Sequence, residues 1–305
     1  MGTVVVIGSL HLDVLVHAPD RPRKGETLAG HAWGLQAGGK GGNQAVNAAR
    51  HGAHTFMVGR VGQDDFGVKL LDALTRNQVI TTYVQTDTTA NSGMSVAIID
   101  QQGDYGAVIA SGVNQHIGHE DLARVRNVLA AADCLVLQYE IPLESVWASA
   151  RMAREYGVRV ILNAAPAYPT THEQLALIDI LVVNEIEAQM LSGLPTDTAE
   201  QVEQAASHLN TIVPTVIVTL GARGVTVAQR GQTMQHLASH TIQLVDTHGA
   251  GDSFIGALAA RLADGETLTA AVRYANAAAA LTCMGAGPQP DGVTPQAVER
   301  LLSTE

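Results

Sequence analysis

The chain has 305 residues, with 29 Asp and Glu against 18 Lys and Arg and a formal net charge of −11. That length suits one large α/β domain with a full core, and the acidic balance argues against a nucleic-acid or anionic-membrane partner. An anionic substrate therefore has to be held locally, by backbone amides, a metal or a few basic side chains.

Thr3–Ile7 opens the chain as an apolar strand, with no basic segment or cleavage site before it. Residues 10–36 alternate like strands without a helix, and residues 43–50 read as a helix. A strand follows at 54–58 and a helix at 66–75. Residues 94–100 and 105–110 flank Gln101-Gln102-Gly103-Asp104 and read as a β-hairpin. The short apolar runs 134–138, 158–162, 178–182 and 215–218 are typical of buried parallel strands, and helical spacing appears at 143–156 and 199–209. The run 241–245 reads as a strand ending at Asp246. It is followed by a glycine turn, an apolar helix from Asp252, and an alanine-rich helix at 268–281. This alternation predicts a doubly wound, mainly parallel sheet with helices on both faces. Segments 10–36 and 94–110 would add a small β-sheet lid to a single domain spanning 1–305. No apolar run approaches the ~20 residues that cross a bilayer. Cys134 and Cys283 read as buried free thiols, so a cytoplasmic protein is expected.

The segment from Val245 to Phe254 concentrates the chemistry. Gly249-Ala250-Gly251 leaves backbone amides open at a helix N-terminus, where unpaired N–H groups and the helix dipole favour an anion. Asp252, in the first turn, either caps that helix or takes a proton from a hydroxyl attacking a phosphate.

Upstream, Gly38-Gly39-Lys40-Gly41-Gly42-Asn43 sits just before a helix. Gly34 to Lys40 matches most of a P-loop, but Gly41 stands where Ser or Thr should hold magnesium, and the dinucleotide pattern fails at Gln44. These glycines either permit positive φ or let backbone approach a polar ligand. His172-Glu173 starts a zinc-protease motif but lacks its second histidine.

Both glycine segments closely resemble the two signatures of the ribokinase-like carbohydrate kinases. GGKGGNQA is similar to that family's GGKGANQA, and DTHGAGDSF to its second signature. The resemblance runs over almost the whole chain. It implies Asp252 as catalytic base, with Gly249, Ala250 and Gly251 forming the anion hole. It implies sugar contacts from His11, Asp13, Gly39, Lys40, Asn43, Glu140 and Asp252. On the nucleotide side it implies Asn184, Thr219, Gly221, Gly224, Gly251 and Asn276 at ATP, and Glu187 holding Mg2+ through water. Asp246 and the His248 carbonyl would sit at a K+ site.

The activity implied is ATP-dependent phosphorylation of the primary hydroxyl of a pentose, ribose first, by a homodimer paired through the lid. His11 replaces an asparagine of the resembled motif, which keeps deoxyribose in contention, with nucleosides after it. A non-catalytic sugar-binding regulator is the reading from another class, and a dinucleotide-dependent oxidoreductase a distant third.

Overall fold

The computed structural model describes residues 1–102 and 105–304, so Gly103 and Asp104 of the expected hairpin turn lie outside the described residues. In chain order the strands are β1 (Thr3–Ile7), β2 (His11–His17), β3 (Ala32–Gly38), β4 (His54–Gly62), β5 (Ile80–Asp87), β6 (Gly93–Ile99) and β7 (Tyr105–Ala110). Then come β8 (Cys134–Leu137), β9 (Arg159–Asn163), β10 (Ile180–Asn184), β11 (Thr215–Thr219), β12 (Val225–Gln229) and β13 (Gln235–Leu237).

One sheet has nine strands in the order β13-β12-β11-β10-β9-β8-β1-β4-β5. Strands β11 through β5 in that order are parallel, and β12 and β13 extend the β11 edge antiparallel. The central strand shows why such segments read as unbroken apolar runs. Val4 and Val6 belong to the core that also holds residues of helices Lys40–Arg50, Ala250–Ala263 and Leu268–Thr282, while Val5 and Ile7 belong to the opposite core, with residues of Leu143–Glu155 and Ala199–Asn210. Alternate side chains enter opposite cores, so both faces have to be apolar.

A second sheet of four strands, in the order β3-β2-β6-β7, forms the lid expected from residues 10–36 and 94–110. Only 11–17 and 32–38 of the first segment are strands; the residues between them are irregular. β2 pairs antiparallel with β3 and parallel with β6, and β6 pairs antiparallel with β7. Three points correct the expectation. Residues 241–245 form no strand: Leu244 and Val245 are exposed, and the Val245 and Asp246 amides both donate to the Cys283 carbonyl instead of a ladder. An apolar run becomes a strand only where a neighbouring edge accepts it, and this run meets a helix C-terminus. The expected helix 43–50 starts earlier, at Lys40, which places Gly41 and Gly42 inside its first turn. Both cysteines are free, but only Cys134 is buried; Cys283 is half-buried.

Candidate active site

Parallel pairing of β11, β10, β9, β8 and β1 puts their C-terminal ends on one edge of the sheet. Thr219, Asn184, Asn163, Gln138 and Ser9 therefore stand in a row. From β1 the chain winds outward to β4 on one side, and β8 opens the other side. Open α/β sheets bind ligands in the crevice at such a reversal.

Asp252 lies over this crevice in the first turn of helix Ala250–Ala263, only 7% exposed. Its Oδ2 accepts from Asn43 Nδ2 at 2.9 Å and its Oδ1 from Gln44 Nε2 at 2.8 Å. Burial pushes the Asp252 carboxyl above the usual Asp range, while Lys40 and the two amide donors pull it back. Burial and opposing donors of this kind are how proteins tune a carboxyl's pKa. Before it, Gly249 adopts φ 79°, and a Cβ there would lie 2.3 Å from Pro288 Cα, so the turn needs glycine. Gly251 is exposed, and its amide belongs to the first turn that a helix leaves unpaired. Asp246 steadies the approach: its Oδ1 accepts from the His248 amide and its Oδ2 from the Gly287 amide, each at 2.9 Å.

The glycines near residue 40 have a packing cause. Gly39 has φ 83°, and a Cβ on Gly41 would lie 2.6 Å from Gly8 C, so the helix N-terminus rests directly on the turn after β1. This contact lets the Lys40 amide donate to Glu140 Oε2 at 2.9 Å. Ser9 Oγ donates to the same oxygen, and His11 Nδ1 lies 4.0 Å from it. His11 is buried and its Nε2 has no hydrogen-bond partner in the structure. Asp13, on β2, faces the crevice from the lid. Ser95 Oγ donates to it, and a Cβ on Gly38 would lie 2.2 Å from its Oδ2. Burial raises the Asp13 carboxyl, and the Ser95 bond, His11 and His248 oppose that shift. The lid and the Gly249 loop therefore face one another electrostatically.

At the β10–β11 end, Asn184 and Thr219 are register partners. Asn184 caps helix Glu185–Ser192. Its Oδ1 accepts from the Glu187 amide at 2.9 Å, while its own N and Nδ2 donate to the buried Glu187 carboxylate at 2.8 and 3.1 Å. Burial raises the Glu187 carboxyl, and Asn184 and Lys40 oppose it. Thr219 Oγ1 donates to the Val183 carbonyl at 3.3 Å. Gly221 and Gly224 both have positive φ, 56° and 90°, and Gly221 is exposed. Asn276 donates through Nδ2 to the Ala238 carbonyl at 2.8 Å, so it pins the segment after β13 to helix Leu268–Thr282.

The expected residues thus fall into two connected groups, with Lys40 acting electrostatically on both Asp252 and Glu187. Sequence reasoning missed Ser9, Gln44, Ser95, Gln138, Asn163 and Gln289, the last donating to Asn43 Oδ1 at 2.8 Å. One signal was available: Gln138 and Asn163 are amides at the C-terminal ends of apolar strands, where a polar side chain needs a partner.

Comparison with known proteins agrees with this fold. The model of the pfkB family carbohydrate kinases matches residues 1–295. A ribokinase from Bacillus subtilis is 36% identical over 304 residues, covering 99% of this chain and 100% of its own. A deoxyribokinase from Salmonella typhi is 33% identical over 288 residues, covering 94% of each chain. The solved structure of Arabidopsis thaliana ribokinase complexed with ribose and ATP matches with a TM-score of 0.91 and 32% identity, over 99% of this chain and 98% of that one. The chain belongs to the pfkB family of carbohydrate kinases.

Proposed function

We propose that the protein is an ATP-dependent ribose kinase that converts ribose to ribose 5-phosphate. The single observation that carries the reading is the buried Asp252 carboxylate at a glycine-turned helix N-terminus, held on both oxygens by amide donors. Sugar lies between the lid and the Lys40–Arg50 helix, bound by Asp13, Asn43 and Glu140 with Gly39, Lys40 and His11 around them. A carboxylate suits a vicinal diol because it accepts two hydrogen bonds side by side. Asp252 takes the proton of the sugar's primary hydroxyl while that oxygen bonds to the γ-phosphorus of ATP. The β–γ bridging bond breaks and ADP leaves. The amides of Gly249, Ala250 and Gly251 stabilise the negative charge that develops on the transferred group.

ATP runs along the sheet edge past Asn184, Thr219, Gly221 and Gly224, with Asn276 holding the wall segment that carries Ala238. Among the described residues no three His, Cys, Asp or Glu side chains gather as a metal cage. That fits magnesium, which keeps most of its waters and is carried largely by phosphate oxygens. Glu187 is the carboxylate positioned to hold those waters; when bound, the ion neutralises phosphate charge. Asp246, which already organises the loops around His248 and Gly287, is the anionic group for a potassium ion beside the anion hole, with the His248 carbonyl.

His11 favours one second reading. A buried imidazole with an unpartnered Nε2, in place of an amide, alters the sugar contact, and deoxyribose is the rival substrate. Small molecules are then the ligands, and the net charge of −11 argues against a nucleic-acid partner. No described helix is long and apolar enough to cross a membrane, and two free thiols suit the reducing cytoplasm. The lid's outward face is the surface through which two copies pair.

The test is sugar-dependent ADP release with Mg-ATP, with and without potassium, across ribose, deoxyribose, hexoses and nucleosides. A dominant response to ribose is expected. Silence across the panel would overturn the kinase reading in favour of a binding-only protein.

A further inference from the structure

Three buried amide side chains stand behind the Asp252 carboxylate. Gln44 and Gln138 are fully buried, and Asn163 is 9% exposed. Gln44 Nε2 donates to Asp252 Oδ1 at 2.8 Å and to Asn163 Oδ1 at 3.1 Å. Gln138 Nε2 donates to Gln44 Oε1 at 2.6 Å. We propose that Gln44 is a positioning residue for the base Asp252, and that Gln138 fixes which way its amide faces.

The polarity of the chain of bonds supports this. An ionised carboxylate only accepts, so Gln44 has to turn its NH2 towards Asp252. That leaves the Gln44 carbonyl facing Gln138, which has to turn its own NH2 towards it. Reversing Gln44 alone would set carbonyl against carboxylate at one end and amide against amide at the other. Gln44 and Gln138 are both fully buried, so either contact would be costly. The consequence appears at the far end, where Gln138 Oε1 is buried without a partner. A packing role would be served by apolar side chains without that orphan acceptor; a fixed orientation at Asp252 needs it.

The surrounding glycines clear the space for this arrangement. A Cβ on Gly8 would lie 2.1 Å from Gln138 Oε1, and one on Gly256 would lie 2.7 Å from the Gln44 backbone carbonyl oxygen and 2.5 Å from Asn47 Cβ. The two helices that carry Gln44 and Asp252 thus cross at close contact. With Gln44 on Oδ1 and Asn43 on Oδ2, the carboxylate plane is fixed from two sides, and its remaining lone pairs face the substrate hydroxyl. The other charged groups that act on Asp252 are Lys40, from the helix of Gln44, and Glu140, from the loop after β8.

The inference rests on the kinase reading, and the test separates the two. Gln44→Met keeps the length and approximate volume but removes the donor; Gln138→Met removes the group that orients it. Steady-state kinetics of the full-length proteins are measured from acid to alkaline pH with saturating Mg-ATP. Gln44→Met should lower kcat by about 10- to 100-fold at neutral pH, the scale of a lost hydrogen bond to a charged group. The sugar KM should stay within about threefold, since uniform sugar binding is untouched. The acid limb of kcat should move to higher pH, because ionised Asp252 has lost a donor, so part of the loss returns at alkaline pH. Gln138→Met should do the same more weakly, and Gln44→Glu more strongly, since it sets two carboxylates together. An unmoved acid limb in Gln44→Met, or a loss equal at every pH with KM raised in step, would overturn the proposal. If Gln44→Met does not fold, an unmoved limb in Gln138→Met overturns it instead. A wild-type protein without kinase activity would fail the parent reading, whereas active wild type with unaffected variants fails this one alone.

Discussion

At the scale of single residues, the decisive property is that Asp252, the base of the proposed function, is a buried carboxyl between two amide donors. Burial raises its carboxyl, and Lys40, Asn43 and Gln44 bring it back. The base works only when ionised, so kcat should fall as pH drops through a value above the ordinary Asp range; above that value it should be flat until another group titrates. Asp252→Asn keeps the side-chain shape but cannot accept the proton. It should lower kcat by ~10² or more with sugar affinity largely kept, as measured by turnover alongside calorimetric sugar binding. Near-wild-type turnover would remove Asp252 from the role. Asp252 and Asn43 stood out in the sequence as candidates because glycine turns and helix starts mark where backbone can meet a ligand, and Glu140 stood out through its strand end and the family resemblance. Gln44 and Gln138 were not. Their partners lie 208 and 94 residues away; the strand-end position of Gln138 signals only that it needs some partner, and Gln44, in a helix, reads the same whether it faces solvent or a carboxylate.

At the scale of elements, the crossing of helices Lys40–Arg50 and Ala250–Ala263 sets the geometry of the base. Gly256→Ala puts a methyl where Asn47, Ala48 and Gln44 already sit, at 2.5 to 2.7 Å. Overpacking of this kind costs ~1–3 kcal/mol. Thermal melting should show that loss, and kcat should fall with it because Gln44 moves off Asp252. A variant as stable and active as wild type would mean that the helices separate without consequence. The far end of the Lys40–Arg50 helix carries a pH-dependent contact. His51 is buried, its Nδ1 is 2.9 Å from Tyr274 Oη, and burial with Arg261 and Arg50 lowers its pKa from 6.5 to about 4. Between those values the unfolded chain binds a proton that the folded one does not, so stability falls with falling pH, by about 2 kcal/mol at pH 5 relative to neutral. His51→Gln cannot titrate, and its unfolding free energy should lose that part of the slope in denaturant titrations at pH 7 and pH 5. An unchanged slope would place the linkage elsewhere. The parallel strands were legible because both of their faces are buried, which writes Val, Ile and Leu without interruption. Residues 241–245 carry the same composition, and composition alone cannot tell whether an edge is free to receive them.

At the scale of the whole molecule, the lid has two unlike faces. Asp13, Ser95 and His11 point into the crevice, and the period of two sends their neighbours the other way. Val14 pairs with Leu35 and Val96, Val16 with Trp33 and Ile98, and Val96 with Val108, so these seven form one continuous outward patch. Trp33 is 72% and Val108 75% exposed. An apolar patch of that continuity is unusual on a monomer. The sequence showed the alternation but not its consequence, because residues 10–36 and 94–110 join into one sheet only through the parallel β2–β6 pairing. If the patch is where two copies meet, then Val108→Glu, at a position open in the single chain, should change monomer stability by no more than about 0.5 kcal/mol. It should still convert the dimer to monomer in sedimentation velocity at micromolar concentration, because a carboxylate buried without a partner in the shared face is strongly disfavoured. The lid would then lose its outer support, and the sugar KM should rise more than kcat falls, since Asp13 and His11 ride on that sheet while Asp252 does not. A wild-type protein that sediments as a monomer, or a Val108→Glu variant that stays dimeric, would exclude this face as the interface.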